Sequence, residues 1–104
     1  EWRKSMIFQG VQNLAEARME KSTKPVFVYA FTRKLPGDDR GAFHSSDLWY
    51  VFGTLSRCWR KMERRDYSIS YTMIRNWTDF IKNDNPGKEW RAYTDEEKFV
   101  RQYI

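Results

Sequence analysis

The chain has one cysteine, one histidine, five glycines and three prolines, and each scarcity removes a class of function. Cys58 alone excludes an internal disulfide and any multi-cysteine zinc site. With His44 as the single histidine, and no His-x-Glu or Cys-x-x-Cys spacing, neither a metal nor any other cofactor is expected. None of the glycines stands in a GxGxxG or Walker pattern, so a phosphate cradle is absent. The nucleophile signature Gly-x-Ser-x-Gly is missing too: the pair Gly37 and Gly41 has that spacing but centres on Asp39. No apolar run approaches the ~20 residues needed to cross a bilayer, and the first residues carry no signal-peptide pattern.

What is abundant is aromatic and basic. Aromatic residues make up 17% of 104 residues, and the apolar fraction is 40%, too much for a disordered chain. A formal net charge of +5 brings polyanion binding into consideration. Arg57, Arg60, Lys61, Arg64 and Arg65 fall at i, i+3, i+4, i+7 and i+8, which on a helix makes one cationic stripe able to neutralise phosphates. No recognised nucleic-acid motif accompanies it, and charge runs are more often solvated faces or loops.

Ile7, Val11, Leu14, Ala15 and Met19 predict an amphipathic helix ending near Glu20 to Ser22, ahead of the breaker sequence Ser22-Thr23-Lys24-Pro25. Val26 to Phe31 is a continuous β-prone run, the pattern of a strand covered on both faces in a parallel sheet. No second run of comparable quality follows, and Glu1 rather than Met heads the sequence. A larger sheet outside these residues is therefore expected. Leu35 to Asp39 reads as a turn-rich loop. Ser45 or Ser46 can cap a short helix with Asp47 in its first turn and Leu48, Val51, Phe52 and Leu55 inward. Asp66 can cap a longer helix with Ile69, Met73, Trp77, Phe80 and Ile81 inward, stopped by Asn83 to Gly87. Phe99-Val100 suggests a short terminal edge strand. The order is α/β: helix, buried parallel strand, loop with His44, two helices, short strand.

His44 lies in the loop leaving the carboxyl end of that strand, where open α/β sheets bind ligands. Position alone leaves a structural and a catalytic histidine about equally open. The surrounding residues, Gly41-Ala42-Phe43-His44-Ser45-Ser46-Asp47-Leu48-Trp49-Tyr50-Val51-Phe52-Gly53, closely resemble the catalytic-histidine motif of the type-B carboxylesterases. These α/β-hydrolases include the bacterial para-nitrobenzyl esterases and the cholinesterases. Pro25 to Phe31 resembles the family strand before this loop, and Ser68 to Lys82 its "LS…W..FAK" helix. Asn85-Pro86 resembles the turn after that helix, and Trp90 with Tyr93 the "WPxY" near its end. Three positions depart: Asp47 stands for the usual Glu, Asp84 for a Gly and Arg91 for a Pro.

The resemblance implies that residues 1–104 are the C-terminal segment of a single α/β-hydrolase domain. It implies that His44 is the general base of a Ser–His–Glu/Asp triad whose other members and oxyanion hole lie upstream. The implied partners are a small carboxylic ester and the rest of the hydrolase domain, with no membrane. Phe43 is the candidate pocket residue, and Asp47 is assigned to capping or loop support. The basic run 57–65 falls between two family helices, which demotes nucleic acid as a partner.

Overall fold

A computed structural model describes all 104 residues. Helix α1 (Met6–Lys21) follows a 3-10 turn at Trp2–Lys4 and precedes strand β1 (Val28–Phe31). Helix α2 (Leu48–Val51), a 3-10 turn at Leu55–Arg57, helix α3 (Arg64–Asn83) and strand β2 (Val100–Tyr103) complete the order. No helix is long and apolar enough to cross a membrane. β1 and β2 form a two-stranded sheet. The Thr32 N–H donates to the Tyr103 carbonyl at 2.8 Å, which brings the two carboxyl ends together and makes the pair parallel. The architecture is thus α/β. The terminal strand is longer than the Phe99-Val100 pair suggested. The chain divides into two compact units, residues 1–30 with 89–102 and residues 31–88 with 103–104.

In the first unit, Ser5 caps α1 by accepting the Phe8 N–H at 3.1 Å. Phe8 and Ala15 are buried with Val28 and Tyr93, and Trp2, Met19, Val26 and Val100 pack around them. This corrects the expected face: Ile7 and Leu14 are 82% and 72% exposed. The inward line starts one residue later because the Phe8 ring meets Trp2 edge-on, with centroids 4.9 Å apart. Of the run Val26 to Phe31, only Val28 is fully buried. Val26 makes an isolated antiparallel bridge to Tyr93, and the Trp90 indole N–H donates to the Val28 carbonyl at 3.1 Å.

In the second unit, α3 begins before the expected cap. Glu63 occupies the N-cap, and Asp66, two residues inside the helix start, accepts the Glu63 N–H at 2.8 Å. Ile69, Met73 and Asn76 form the inward line, whereas Phe80 and Ile81, expected inward, are exposed. The line bends at Asn76 because its amide donates to the Pro86 carbonyl at 2.8 Å and accepts from the Tyr103 hydroxyl. The helix stops at Asp84, whose φ of 57° does the work of the glycine that the family pattern has there.

Candidate functional site

The loop from Thr32 to Asp47 carries the sequence-predicted residues. Leu35 is buried and its N–H donates to the Gly41 carbonyl at 3.2 Å, closing the loop across Pro36 to Arg40. Gly37 has a φ of 108°, and a Cβ there would come within 2.9 Å of the Trp59 ring, so only glycine fits. Arg60, 5% exposed, reaches under the loop. One of its terminal nitrogens donates to the Pro36 carbonyl at 2.8 Å and to Asp38 Oδ1 at 2.9 Å. The other donates to Asp38 Oδ2 at 3.1 Å. This fork, and next the Arg40 N–H, hold the Asp38 carboxyl below the usual carboxylate range.

His44 and Ser45 form the tip of a tight turn closed twice between Phe43 and Ser46. The Ser46 N–H donates to the Phe43 carbonyl at 2.9 Å, and the Phe43 N–H donates to Ser46 Oγ at 3.1 Å. Ser46 is buried, while His44 and Ser45 are exposed. Ser45 has a φ of 67°, a left-handed conformation that non-glycine residues adopt at a cost. The backbone that carries His44 is therefore fixed while its imidazole faces outward, with no hydrogen-bond or ion-pair partner in the chain. The Phe43 ring lies beneath two guanidinium groups, Arg40 at 4.4 Å and Arg60 at 5.3 Å.

Behind the turn, α2 is a single turn of helix. Asp47 sits at its N-cap, where its carbonyl accepts the Tyr50 and Val51 N–H groups, but its side chain makes no capping hydrogen bond. Neither Ser45 nor Ser46 caps α2 as expected, because Ser46 Oγ turns back to Phe43. The helix ends at Val51, and Gly53, with a φ of 68°, turns the chain before Leu55 is buried in a separate 3-10 turn. Leu48 and Phe52 are exposed, and Tyr50 is the residue that α2 buries, at 0% exposure. Its hydroxyl donates to Asp66 Oδ1 at 2.7 Å, its carbonyl accepts from Ser70 Oγ at 2.7 Å, and its ring lies 4.8 Å from Phe31.

Asp66 joins this anchor to the end of β1. Arg33 donates to it through Nε at 2.8 Å and Nη2 at 3.2 Å, and Nη2 also reaches Glu63 at 3.0 Å. Burial disfavours the Asp66 anion, but Arg33, the Tyr50 hydroxyl and the Glu63 N–H outweigh it and lower its pKa. Burial, and next the hydrogen bond to Asp66, raise the Tyr50 pKa.

The cationic stripe does not form. Arg57 ends a 3-10 turn, residues 58–63 are not helical, and Arg60 is buried in its pair with Asp38. Arg65 donates to the Ile104 carbonyl at 2.9 and 2.6 Å. The helix cannot extend back over this run, because Glu63 and Asp66 fix its start at Arg64. No group of three or more His, Cys, Asp or Glu side chains is placed to hold a metal ion. Sequence reasoning missed Arg33, Asp38, Tyr50 and Arg60 as partners of the loop. The Glu63–Asp66 spacing was the only local signal toward any of them.

A model of the carboxylesterase family matches residues 2–103. Acetylcholinesterase-1 of Trittame loki is 29% identical over 90 residues, which cover 78% of this chain and 16% of that protein. Bile salt-activated lipase of Rattus norvegicus is 29% identical over 92 residues, covering 82% of this chain and 15% of the lipase. The structure is similar to that of a thermophilic PNB esterase, with a TM-score of 0.66 and 30% identity over 76% of this chain and 18% of the esterase. A second PNB esterase structure gives a TM-score of 0.68 at 27% identity, over 77% of this chain and 18% of that one. The chain thus spans less than a fifth of the length of these relatives.

Proposed function

The chain belongs to the carboxylesterase family, and we propose on that premise that it carries the general-base histidine of a serine esterase. In this reading residues 1–104 are the C-terminal segment of a hydrolase domain. The nucleophilic serine, the triad acid and the oxyanion hole come from sequence outside it. The observation that carries the reading is the presentation of His44, an outward imidazole on a doubly closed turn beyond the carboxyl end of β1.

An imidazole so presented has one ring nitrogen to accept the serine hydroxyl proton as the oxygen attacks the ester carbonyl. The other ring N–H donates to the triad acid, which stabilises the imidazolium that forms. Collapse of the tetrahedral intermediate breaks the bond to the leaving alcohol, and the imidazolium returns the proton to that oxygen. In the second half His44 takes a proton from water, hydroxide adds to the acyl-enzyme, and the acid leaves with the serine proton restored. The substrate is a small carboxylic ester. Phe43, beside His44 in the chain, contributes to the acyl or alcohol pocket, and Asp47 supports the loop from the start of α2.

The 104-residue chain alone is expected to leave a para-nitrophenyl ester unhydrolysed. In the esterase that carries it, His44→Ala should lower kcat on the order of 10⁵-fold or more. Turnover by the isolated chain that disappears with His44→Ala would refute the need for the other groups. Full turnover by the His44→Ala esterase would refute the base assignment.

A further inference from the structure

The turn at Phe43–Ser46 is closed within itself, but its direction depends on what grips its flanks. On the C-terminal side α2 is fixed through Tyr50. On the N-terminal side residues 32–42 form no helix and no strand. Arg33 and buried Leu35 fix its start, and one side chain grips the part from Pro36 to Phe43: Arg60 binds the Pro36 carbonyl, both oxygens of Asp38 and the face of the Phe43 ring. The three contacts fall along the eight residues that lead into His44. Only a planar guanidinium can make them together, because the fork meets the carboxylate while the face of the group remains free for the ring.

The arrangement also carries a cost. The Arg60 Nε is buried without an acceptor, a burden that selection for stability alone would remove by an apolar replacement. General-base catalysis, by contrast, depends on placement within fractions of an ångström. We propose that Arg60, locked to Asp38, is a positioning residue for His44: it fixes the approach of the 36–43 segment and hence the direction in which the imidazole is presented. The inference rests on the reading of His44 as the base. Arg60 touches no reacting atom; it acts through Phe43 and the loop.

Because His44 is the only histidine, the motion of its imidazole can be followed from one Hε1 resonance, alongside backbone order parameters for 41–46. In the unmodified chain these amides should be as rigid as α3, with S² about 0.85. In Arg60→Lys, which keeps the charge but not the fork, and in Asp38→Asn, they should fall below about 0.6 while Ile69 and Met73 stay rigid. Asp38 lies at the loop rim, so Asp38→Asn tests the contact even if an Arg60 variant unfolds. Order at 41–46 unchanged in both variants, or already lost in the unmodified chain, overturns the proposal. In the esterase that carries the segment, Arg60→Lys should lower kcat by about 10- to 100-fold with KM within about twofold. An unchanged kcat overturns the positioning role. Survival of activity in His44→Ala would sink the base assignment instead, and the loop-order result would still read out the Arg60 grip separately.

Discussion

In residues 1–30 and 89–102 the interior is Phe8, Ala15, Val28 and Tyr93, with Trp90 held edge-on to Phe27 and Tyr29. In residues 31–88 and 103–104 the interior is threaded by Asp66, Arg33, Tyr50, Ser70, Asn76 and Arg60. Apolar contact is non-directional and tolerates small shifts, whereas a buried carboxylate with four donors has one good geometry. The directional interior surrounds the His44 loop. The tolerant one holds a helix whose Met6, Ile7 and Leu14 remain exposed. Directional contacts are concentrated around the loop that carries His44.

The largest effect should come from removing the hub of the directional unit. Asp66→Ala leaves Arg33 and the Tyr50 hydroxyl without their common acceptor and should cost about 3–5 kcal/mol in a denaturant titration. The pH dependence follows from the lowered Asp66 pKa. The folded state keeps the anion below the unfolded value, so the contribution is full above about pH 4 and is lost as pH falls through the folded pKa. Asp66→Asn should flatten that acid limb. At the other end, Tyr50 has a raised pKa. Its contribution holds below about pH 10 and declines above it, and Tyr50→Phe should remove the decline.

The same deletion made in each unit sharpens the contrast. Tyr50→Phe removes a 2.7 Å hydrogen bond to a buried anion and should cost about 1.5–3 kcal/mol. Tyr93→Phe is equally buried but loses only contacts of 3.4 and 3.5 Å to Gln12 and Glu16, and should cost less than about 1 kcal/mol. Equal costs for the two would erase the distinction. The smallest effect belongs to the exposed face of α1, where Leu14→Ser should stay within about 0.5 kcal/mol, as thermal unfolding would register.

Local chemistry was legible in the sequence and long-range polar chemistry was not. α1, the run centred on Val28, the α3 core positions Ile69 and Met73, and the stop at Asp84 follow from periodicity and turn residues. The His44 motif was legible through its resemblance. Arg60 was read as one member of a stripe, because spacing cannot show that a carboxylate 22 residues earlier, at the loop rim, has claimed it. The inward line Leu48, Val51, Phe52 and Leu55 passed over Tyr50, the residue that α2 buries, whose hydroxyl answers to Asp66, 16 residues on. Helical period alone put Ile7 on the inward line. Phe8 is buried in its place, because an aromatic contact with Trp2, outside the helix, decides the rotation.

Helix α2 has only four residues, far below the length at which an isolated helix persists in water. It exists because Tyr50 is tied at both its hydroxyl and its carbonyl to the first two turns of α3. The two helices are therefore one cooperative opening unit. Amides of Tyr50 and Val51 should exchange with solvent deuterium at the free energy that exposes Ser70, not at that of a frayed single turn. The turn bearing His44 is thus joined on its C-terminal side to a helix that opens only with α3, while Arg60 grips its N-terminal approach.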